Sequence, residues 1–590
     1  MYILGILKKY AFSIMKYLFT VTFLAIISVE THRAEYFIFG LLELLFIFSL
    51  SDFLLRKNRG FLILHDVLML FFNAQVLMIH FANSYVSLVM LDNMDSLEDI
   101  GGKTTVYAVG VVIVFVMSFI PVKTVGKHGH GIDLLFAPIV MLELVLFPTL
   151  EIPVTPSMGY AMLYNQWADA KAMERMKAEY LASLEQGGVL DVALESEETA
   201  NDGTSTGADA TSAPAEDSRS QSAGELKNGD EADEREEEVY IPVEERLDVL
   251  FPVGEDTPHD TLAEGTNVIV IFVEGLSEDV VTDSRGIMSN LNEWQNHTIN
   301  VINYYDHTAA TFRALQGQLY SGCVENNYDI PVSQSIMTVL RSHGYYTSFI
   351  NTEPLNDLFK DYLESMDFDE VISDTSMPYG VLASMRDTEA YELLFDKAME
   401  YEETGVPFFL SMYSFGTHAT FDSAGERYGD GTDPALNKFY DADCQIGLFL
   451  EKFQNSPLAS NTMLIITADH ASYMDEDMRN AFPDMNRVDG FCDEIPLMIY
   501  YQGFTEQIDA QGRNSLDMAP TILDLLGIEK PETFLGESLF RAKNADTYMD
   551  SFYYLPGTFY YTGADKVELA ASDVERYIKN QMMIYFATCY

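Results

Sequence analysis

A short apolar run that ends in an acid and a histidine is the part of this sequence best suited to chemistry. Residues 463–467 are apolar or β-branched, and Ala468, Asp469 and His470 follow directly. Such a run predicts a buried strand, and ligands of open α/β sheets bind just beyond the carboxyl ends of the strands. A carboxylate and an imidazole at that place suit a divalent cation such as zinc or manganese. Alone, the pair is more often a helix-capping Asp beside a surface His.

Further polar residues fall at comparable places in the chain. Residues 267–273 predict a second buried strand, which ends at Glu274, and residues 407–413 predict another, which leads to His418. Thr311 opens a predicted helix, where a hydroxyl is usually a cap but where free N–H groups can also hold a phosphate. Each residue alone has an ordinary alternative as a turn acid, a cap or a surface histidine. Their joint placement favours a single site.

The predicted chemistry is metal-assisted displacement at phosphorus or sulfur. A threonine hydroxyl is a weak nucleophile because it stays protonated at neutral pH, and a bound cation lowers its pKa while polarising the group under attack. Four side chains would form the metal site, with two carboxylates to balance the charge: Glu274, Thr311, Asp469 and His470. His418 would lie outside the metal ligands, and there it would contact the transferred group or protonate the leaving oxygen.

The elements that must position these residues alternate between strands and helices from about residue 241 to 545. Further strands and helices are predicted at residues 300–305, 346–350, 495–501, 437–453 and 517–527. The alternation is typical of an α/β domain whose mostly parallel sheet is covered by helices on both faces. Residues 546–590 are a C-terminal extension for which we predict no particular structure.

The first 152 residues predict a membrane anchor. They contain about five apolar runs of roughly 20 residues, the length of a helix that crosses a hydrocarbon core. The runs lie at residues 10–30, 34–55, 61–83, 104–122 and 131–151. Lys and Arg concentrate before the first run, between the second and third, and between the fourth and fifth, which predicts a cytoplasmic N-terminus and an extracellular α/β domain. The runs show no cluster of charges of the kind that transporters use, so we expect the spans to serve as an anchor.

Two segments connect the anchor to the α/β domain. Residues 153–190 include a run rich in Ala, Met, Glu and Lys, and they predict a helical stalk. Residues 191–240 are rich in acidic and small polar residues with little aliphatic bulk, so they predict a disordered, extended spacer. Binding of calcium or of a wall polymer is the alternative role of this spacer.

The overall composition excludes one class of partner. The net charge of −55 argues against nucleic acid, which would need a basic face. The four cysteines lack metal-binding spacing, and a chain of 590 residues can bury a core without a disulfide framework. The sequence leaves open whether the cysteines are free thiols or whether Cys323 and Cys492 form a single disulfide bridge.

Around the candidate site residues the sequence resembles the alkaline phosphatase superfamily and, within it, the sulfatase-like family of lipoteichoic acid synthases and phosphoglycerol transferases. The resemblance covers about residues 265–540, and a five-span anchor before an outer enzyme domain is also the architecture of that family. The motifs that carry it are residues 267–274, 311–314, 414–418, 440–447, 467–470, 495–497 and 517–521.

The resemblance implies a threonine nucleophile, a covalent phospho-threonine intermediate and a divalent metal, usually Mn²⁺ and sometimes Mg²⁺ or Zn²⁺. It also implies a phospholipid donor of the phosphatidylglycerol type. Glycerol phosphate would move to a glycolipid or a growing cell-envelope polymer, and diacylglycerol would leave.

Two departures from the family pattern keep alternatives open. Synthases carry an aromatic-Asn-Arg segment that grips glycerol phosphate, whereas residues 351–359 here contain neither Arg nor Trp. Thr308 lies close to Thr311 and is a second candidate nucleophile. A membrane-anchored transferase is therefore the first interpretation. A metal-dependent phosphodiesterase or phosphatase with the same residues is the second, and a catalytically inactive surface protein is the third.

Overall fold

The structure, a computed structural model, describes five stretches of the chain. They are residues 2–30, 34–82, 85–86, 104–123 and 243–589, with a few residues between 155 and 175. The last stretch has gaps at 253, 325–330, 375, 377–383, 420, 424, 486, 488–491, 556–557, 564–565 and 571. The fifth predicted span, the acidic spacer and most of the predicted stalk lie outside the described residues.

Four apolar helices come first in the chain. They are α1 (Tyr2–Glu30), α2 (Ala34–Lys57), α3 (Leu62–Ala82) and α4 (Thr104–Ser118). The segments Tyr10–Val29, Tyr36–Leu55 and Arg59–Ile79 are each long and apolar enough to cross a membrane. The predicted fourth span corresponds to α4, which is a shorter apolar helix of 15 residues. Three of the five predicted spans are thus confirmed as helices of membrane length.

Buried polar side chains connect three of these apolar helices. The Lys16 ammonium lies 2.7 Å from the Asp66 carboxylate, and both side chains are buried. Thr20 donates a hydrogen bond to Asn73 at 3.0 Å, and the Asn73 amide donates to Ser118 at 3.0 Å. Window-averaged hydropathy hides such residues because single polar positions are diluted by their apolar neighbours. The network joins α1, α3 and α4.

The rest of the described chain alternates between strands and helices. The helices are α5 (Val243–Leu250), α6 (Glu278–Val281), α7 (Ser289–Trp294), α8 (Thr311–Tyr320), α9 (Ile336–Ser342), α10 (Asp357–Ser365), α11 (Asp387–Thr404), α12 (Pro434–Gln454), α13 (Glu476–Ala481), α14 (Met518–Leu525) and α15 (Ser572–Cys589). The strands are β1 (Asn267–Val273), β2 (Ile299–Ile302), β3 (Tyr346–Ile350), β4 (Glu370–Ile372), β5 (Phe408–Ser414), β6 (Thr462–Ala468), β7 (Leu497–Tyr500), β8 (Glu506–Asp509), β9 (Phe552–Leu555), β10 (Thr558–Gly563) and β11 (Lys566–Leu569).

Eight strands form one mixed sheet in the order β4-β3-β5-β1-β6-β7-β2-β8. The strands from β4 to β6 in this order are parallel, whereas β7 runs antiparallel to both β6 and β2. Strands β1, β5 and β6 are buried along their whole length, as expected for near-continuous apolar runs covered on both faces. The α/β prediction is confirmed, with one reversed strand that the sequence pattern did not indicate.

The predicted strand bounds agree best where an apolar run is bounded by polar residues. β1 and β3 match the predicted ranges, whereas the strand predicted at 300–305 ends at Ile302. Asn303 follows with a φ of 53°, a left-handed conformation that ends an extended segment.

The C-terminal extension is folded, which the sequence did not predict. Strands β9, β10 and β11 form a separate antiparallel sheet. Side chains from this sheet, from α5 and from α15 share a second buried cluster, which includes Leu247, Phe552 and Ile578.

Candidate active site

The three central strands bring the predicted residues to one edge of the sheet. In the parallel register, Val273 of β1 lies opposite Ser414 of β5 and Ala468 of β6. The residues that directly follow β1 and β6, Glu274 and Asp469, are therefore neighbours. The close approach follows from two buried runs of equal length that end in an acid at the same register.

Glu274, Asp469 and His470 form a compact buried cluster. One potential ligand atom from each lies within 4.8 Å of the others, and all three side chains are almost fully buried. The His470 Nε2 atom is 3.6 Å from Glu274 Oε1 and 3.5 Å from Asp469 Oδ2. The other ring nitrogen, Nδ1, lies 2.8 Å from the Ala471 carbonyl and donates to it. This second contact fixes the ring and directs Nε2 toward both carboxylates, an orientation typical of metal-binding histidines.

The two carboxylate oxygens of Asp469 differ in their hydrogen bonding. Its Oδ1 atom accepts hydrogen bonds from the backbone N–H of Gly275 at 2.9 Å and of His470 at 2.8 Å. Its Oδ2 atom is buried and accepts no hydrogen bond from the described residues. Gly275 has a φ of 48°, a conformation open to glycine at little cost, and its N–H can therefore turn back to the carboxylate. A buried carboxylate oxygen without a donor is costly, and a cation at that place would satisfy it.

Thr311 reaches the same cluster from the start of α8. Its Oγ1 atom donates to Glu274 Oε2 at 3.1 Å. The preceding residue, Ala310, has a φ of 72°, and a residue other than glycine in such a conformation stores local strain of roughly 1–3 kcal/mol. Strain of this kind concentrates at functional sites, and here it occurs in the turn that presents the threonine.

Thr308, the alternative nucleophile, faces a different part of the protein. It is buried, and its hydroxyl donates to the backbone carbonyl of Tyr554 at 2.8 Å. The backbone N–H of Tyr554 donates in turn to the carbonyl of His307 at 2.9 Å. The folded C-terminal extension thus binds the loop before α8, and the geometry favours Thr311 over Thr308.

His418 lies beside the cluster on the loop that follows β5. Its ring stacks on Phe415 with centroids 4.8 Å apart and an interplanar angle of 17°. Its Nδ1 atom donates to the Ala419 carbonyl at 3.0 Å, which leaves Nε2 as the nitrogen available to a substrate. The preceding residue, Thr417, donates its hydroxyl to the Glu274 carbonyl at 2.5 Å and so ties this loop to the end of β1.

Three supporting residues were missed by the sequence analysis. Tyr413 donates to Glu274 Oε2 at 2.5 Å. Gln318 donates to the carbonyls of residues 468 and 469 at 3.0 and 2.9 Å, and Asp306 accepts the N–H of Ala471 at 3.1 Å. The one sequence signal was position, because Asp306 follows a predicted strand and Tyr413 ends another.

The electrostatics of the cluster favour added positive charge. Burial works to raise the pKa of Glu274, but the neighbouring His470 imidazolium and other contacts bring the pKa below its ordinary value. Burial and the Glu274 carboxylate raise the pKa of Asp469 to about 7. Burial alone would lower the pKa of His470, but Asp469 and Glu274 outweigh it and raise that pKa. Asp469 and His470 thus tend to retain protons that a divalent cation would displace.

The donor set fits a divalent cation. Two carboxylates, one imidazole nitrogen and a hydroxyl oxygen lie together, a mixture that suits manganese, zinc or magnesium more than a soft metal. The side chains that would hold it are Glu274, Asp469 and His470, with the Thr311 oxygen adjacent. When bound, such a cation would lower the pKa of a coordinated hydroxyl and polarise a phosphoryl oxygen.

The candidate bridge between Cys323 and Cys492 is not formed. None of the four cysteines takes part in a disulfide bond. Cys323 belongs to the buried cluster of the C-terminal extension, together with Cys589, whereas Cys492 packs in a different cluster with Tyr305 and Tyr553.

Comparisons with known proteins point to one family. The sulfatase family model matches residues 266–528. Lipoteichoic acid synthase 2 of Bacillus subtilis is 23% identical over an alignment of 359 residues, and the match covers 53% of this chain and 54% of that protein. The present chain therefore spans about half the length of this curated relative.

Two solved structures match between 57% and 58% of the chain. The lipoteichoic acid synthase LtaP from Listeria monocytogenes is 18% identical, with a TM-score of 0.47 over 58% of this chain and 97% of that one. An alkaline phosphatase superfamily protein from Vibrio parahaemolyticus is also 18% identical, with a TM-score of 0.45 over 57% and 90% of the two chains. Residues 266–528 thus match the sulfatase family, and the chain is distantly similar to lipoteichoic acid synthases.

Proposed function

We propose that this protein is a membrane-anchored, metal-dependent transferase that moves a phosphoglycerol-type group from a phospholipid donor to a glycolipid or cell-envelope polymer. The observation that carries the proposal is the hydrogen bond between Thr311 and Glu274 beside the Asp469–His470 pair. It supports a role for Thr311 as the nucleophile beside a candidate cation site. We propose Mn²⁺ for that site, with Mg²⁺ or Zn²⁺ as alternatives.

In the first half-reaction, Thr311 Oγ1 attacks the phosphorus of the donor. Its proton passes to Glu274 Oε2, the oxygen to which it is already hydrogen-bonded. The bond between phosphorus and the diacylglycerol oxygen breaks, and His418 Nε2 gives that oxygen a proton. The products are diacylglycerol and a glycerol phosphate ester of Thr311.

The second half-reaction reverses the roles of these groups. His418 Nε2 takes the proton from the acceptor hydroxyl, whose oxygen then attacks the phosphorus. The bond to Thr311 breaks, and Thr311 recovers its proton from Glu274. The acceptor leaves with one added glycerol phosphate, and the side chains return to their starting protonation states.

The proposed architecture places the site next to a lipid donor. We propose five spans at residues 10–30, 34–55, 61–83, 104–122 and 131–151, a cytoplasmic N-terminus and an extracellular catalytic domain at residues 241–545. The three helices of membrane length support the anchor. The stalk at residues 153–190 and the acidic spacer at residues 191–240 would set the distance of the site from the membrane.

Hydrolysis is the second candidate function. It is favoured by residues 351–359, which lack the Arg and the aromatic-Asn pair that grip glycerol phosphate in the synthases. In that case water would replace the acceptor hydroxyl and the same side chains would act.

Product analysis distinguishes the two functions. The full-length protein in detergent would be incubated with Mn²⁺, phosphatidylglycerol and a glycolipid acceptor, and the products separated by mass. Transfer predicts a glycolipid carrying glycerol phosphate, whereas hydrolysis predicts free glycerol phosphate with an unchanged acceptor. Absence of any diacylglycerol-releasing activity would contradict the proposed donor.

A further inference from the structure

Tyr413 lies near the end of β5 with its hydroxyl directed at the candidate metal site. Its side chain is 1% exposed, and its ring packs edge-on against Phe359 with centroids 5.6 Å apart. β5 pairs in parallel with β1, and Tyr413 lies opposite Phe272, two residues before Glu274. Neither the predicted site residues nor the family motifs assign a role to this tyrosine.

The Tyr413 hydroxyl contacts one particular oxygen of Glu274. It donates to Oε2 at 2.5 Å, the same oxygen that accepts the Thr311 hydroxyl at 3.1 Å. The other oxygen, Oε1, lies 3.6 Å from His470 Nε2 on the side of the ligand cluster. The two oxygens of Glu274 therefore face different groups, and hydroxyl donors occupy only one of them among the contacts described.

We propose that Tyr413 is a positioning residue that fixes the orientation of Glu274 for metal binding and for nucleophile activation. By holding Oε2 beside Thr311, the phenol directs Oε1 toward the cation position. The inference rests on the proposed function, because it assumes that Glu274 is a metal ligand and Thr311 the nucleophile. Tyr413 is then a residue outside the proposed metal ligands that orients one of them, Glu274.

Loss of the hydroxyl frees the carboxylate to rotate. Removal of a partner that orients a metal ligand typically costs about 10- to 100-fold in metal affinity or activity. Because Tyr413 acts through Glu274, the loss falls on metal affinity and kcat, whereas KM at saturating metal stays within about twofold of the wild-type value.

The test substitutes Tyr413→Phe, which keeps the ring and its packing, in the full-length protein in detergent. Mn²⁺ binding is measured by titration calorimetry without substrate, and kcat and KM with a generic phosphodiester at saturating Mn²⁺. Tyr304→Phe is the matched control, because Tyr304 is also fully buried and its hydroxyl has no hydrogen-bond partner among the described residues. Thermal unfolding of both variants checks the fold.

The expected result is a Kd for Mn²⁺ raised about 10- to 100-fold in Tyr413→Phe and unchanged in Tyr304→Phe. A wild-type Kd in Tyr413→Phe would overturn the positioning role while leaving the proposed function intact. A wild-type protein that binds no Mn²⁺, Mg²⁺ or Zn²⁺ would overturn the proposed metal site itself, and this inference with it. If Tyr413→Phe unfolds, Tyr413→Met, which also lacks a hydrogen-bond donor and adapts to the packing, is measured instead, and a wild-type Kd in that variant again overturns the role.

Discussion

The hydroxyl of Thr308 donates to the backbone carbonyl of Tyr554 at 2.8 Å, although 246 residues separate the two positions. This bond directs Thr308 away from the candidate metal site and into the packing of the C-terminal extension. Three residues later, Thr311 donates to Glu274 instead. Two hydroxyls only three residues apart therefore have different surroundings in the fold.

The first prediction separates these two threonines. Thr311→Ala is expected to lower kcat by at least about a thousandfold, because it removes the proposed nucleophile. Thr308→Val is expected to keep activity and to lose about 0.5–1.5 kcal/mol of unfolding free energy with its hydrogen bond. Steady-state rates and denaturant unfolding check both expectations. Full activity in Thr311→Ala would exclude it as the nucleophile.

The second prediction concerns the proposed ligands. Asp469→Asn and His470→Ala are each expected to lose bound metal, since each removes one ligand from a cluster within 4.8 Å. Metal content after dialysis is measured by mass spectrometry, with circular dichroism to verify the fold. His343→Ala, a change at an exposed histidine, is the control. Stoichiometric metal in either ligand variant would disprove that assignment.

The third prediction concerns the ion pair between Lys16 and Asp66. Lys16→Met leaves the Asp66 carboxylate buried without its partner, and we expect a loss of about 3–5 kcal/mol, as for other broken buried pairs. The double variant Lys16→Met with Asp66→Leu is expected to recover most of this loss. Thermal unfolding in detergent tests the pair, and Lys123→Met at an exposed position is the control. Additive losses in the double variant would show that the pair contributes nothing.

The fourth prediction is a pH dependence at Asp387. Burial and the nearby Asp441 carboxylate raise the pKa of Asp387 to about 7, against a hydrogen bond from the Gly416 N–H. In the unfolded chain this acid ionises near pH 4. Between about pH 4 and 7 the folded state keeps a proton that the unfolded state has lost, so stability from this group falls as pH rises and stays low above pH 7.

Asp387→Asn removes that dependence while keeping an oxygen for the Gly416 N–H. We expect the free energy of unfolding of the variant, relative to that of the wild type, to increase between pH 5 and pH 8 by a few kcal/mol at most. Urea unfolding at both pH values measures the difference. Identical pH profiles for the two proteins would show that Asp387 is already ionised in the fold.

The sequence pattern predicted the strand ends well, because the end of a strand depends on where a local run of apolar residues gives way to polar ones. Glu274 and Asp469 each end a buried apolar run, and parallel pairing of β1 and β6 is enough to make them neighbours. The remaining contacts are non-local. Tyr413 and Glu274 are 139 residues apart, and no periodicity indicates which oxygen a phenol will contact.

Two other features were missed for different reasons. The pairing of Lys16 with Asp66 depends on how helices pack, which hydropathy does not report. The sequence analysis made no structural prediction for the C-terminal extension, although its alternating aromatic residues are compatible with the hairpin of β9 and β10. Its importance lies in Tyr554, which fixes Thr308 and the loop that leads to Thr311.

The most direct test of the central claim is a search for the covalent intermediate on Thr311. The full-length protein would be mixed with Mn²⁺ and phosphatidylglycerol in detergent without an acceptor, quenched in acid and digested for mass spectrometry. The proposed function predicts that the peptide containing Thr311 gains the mass of one glycerol phosphate while diacylglycerol is released in equal amount. Release of diacylglycerol with the label on another residue, or on none, would contradict it.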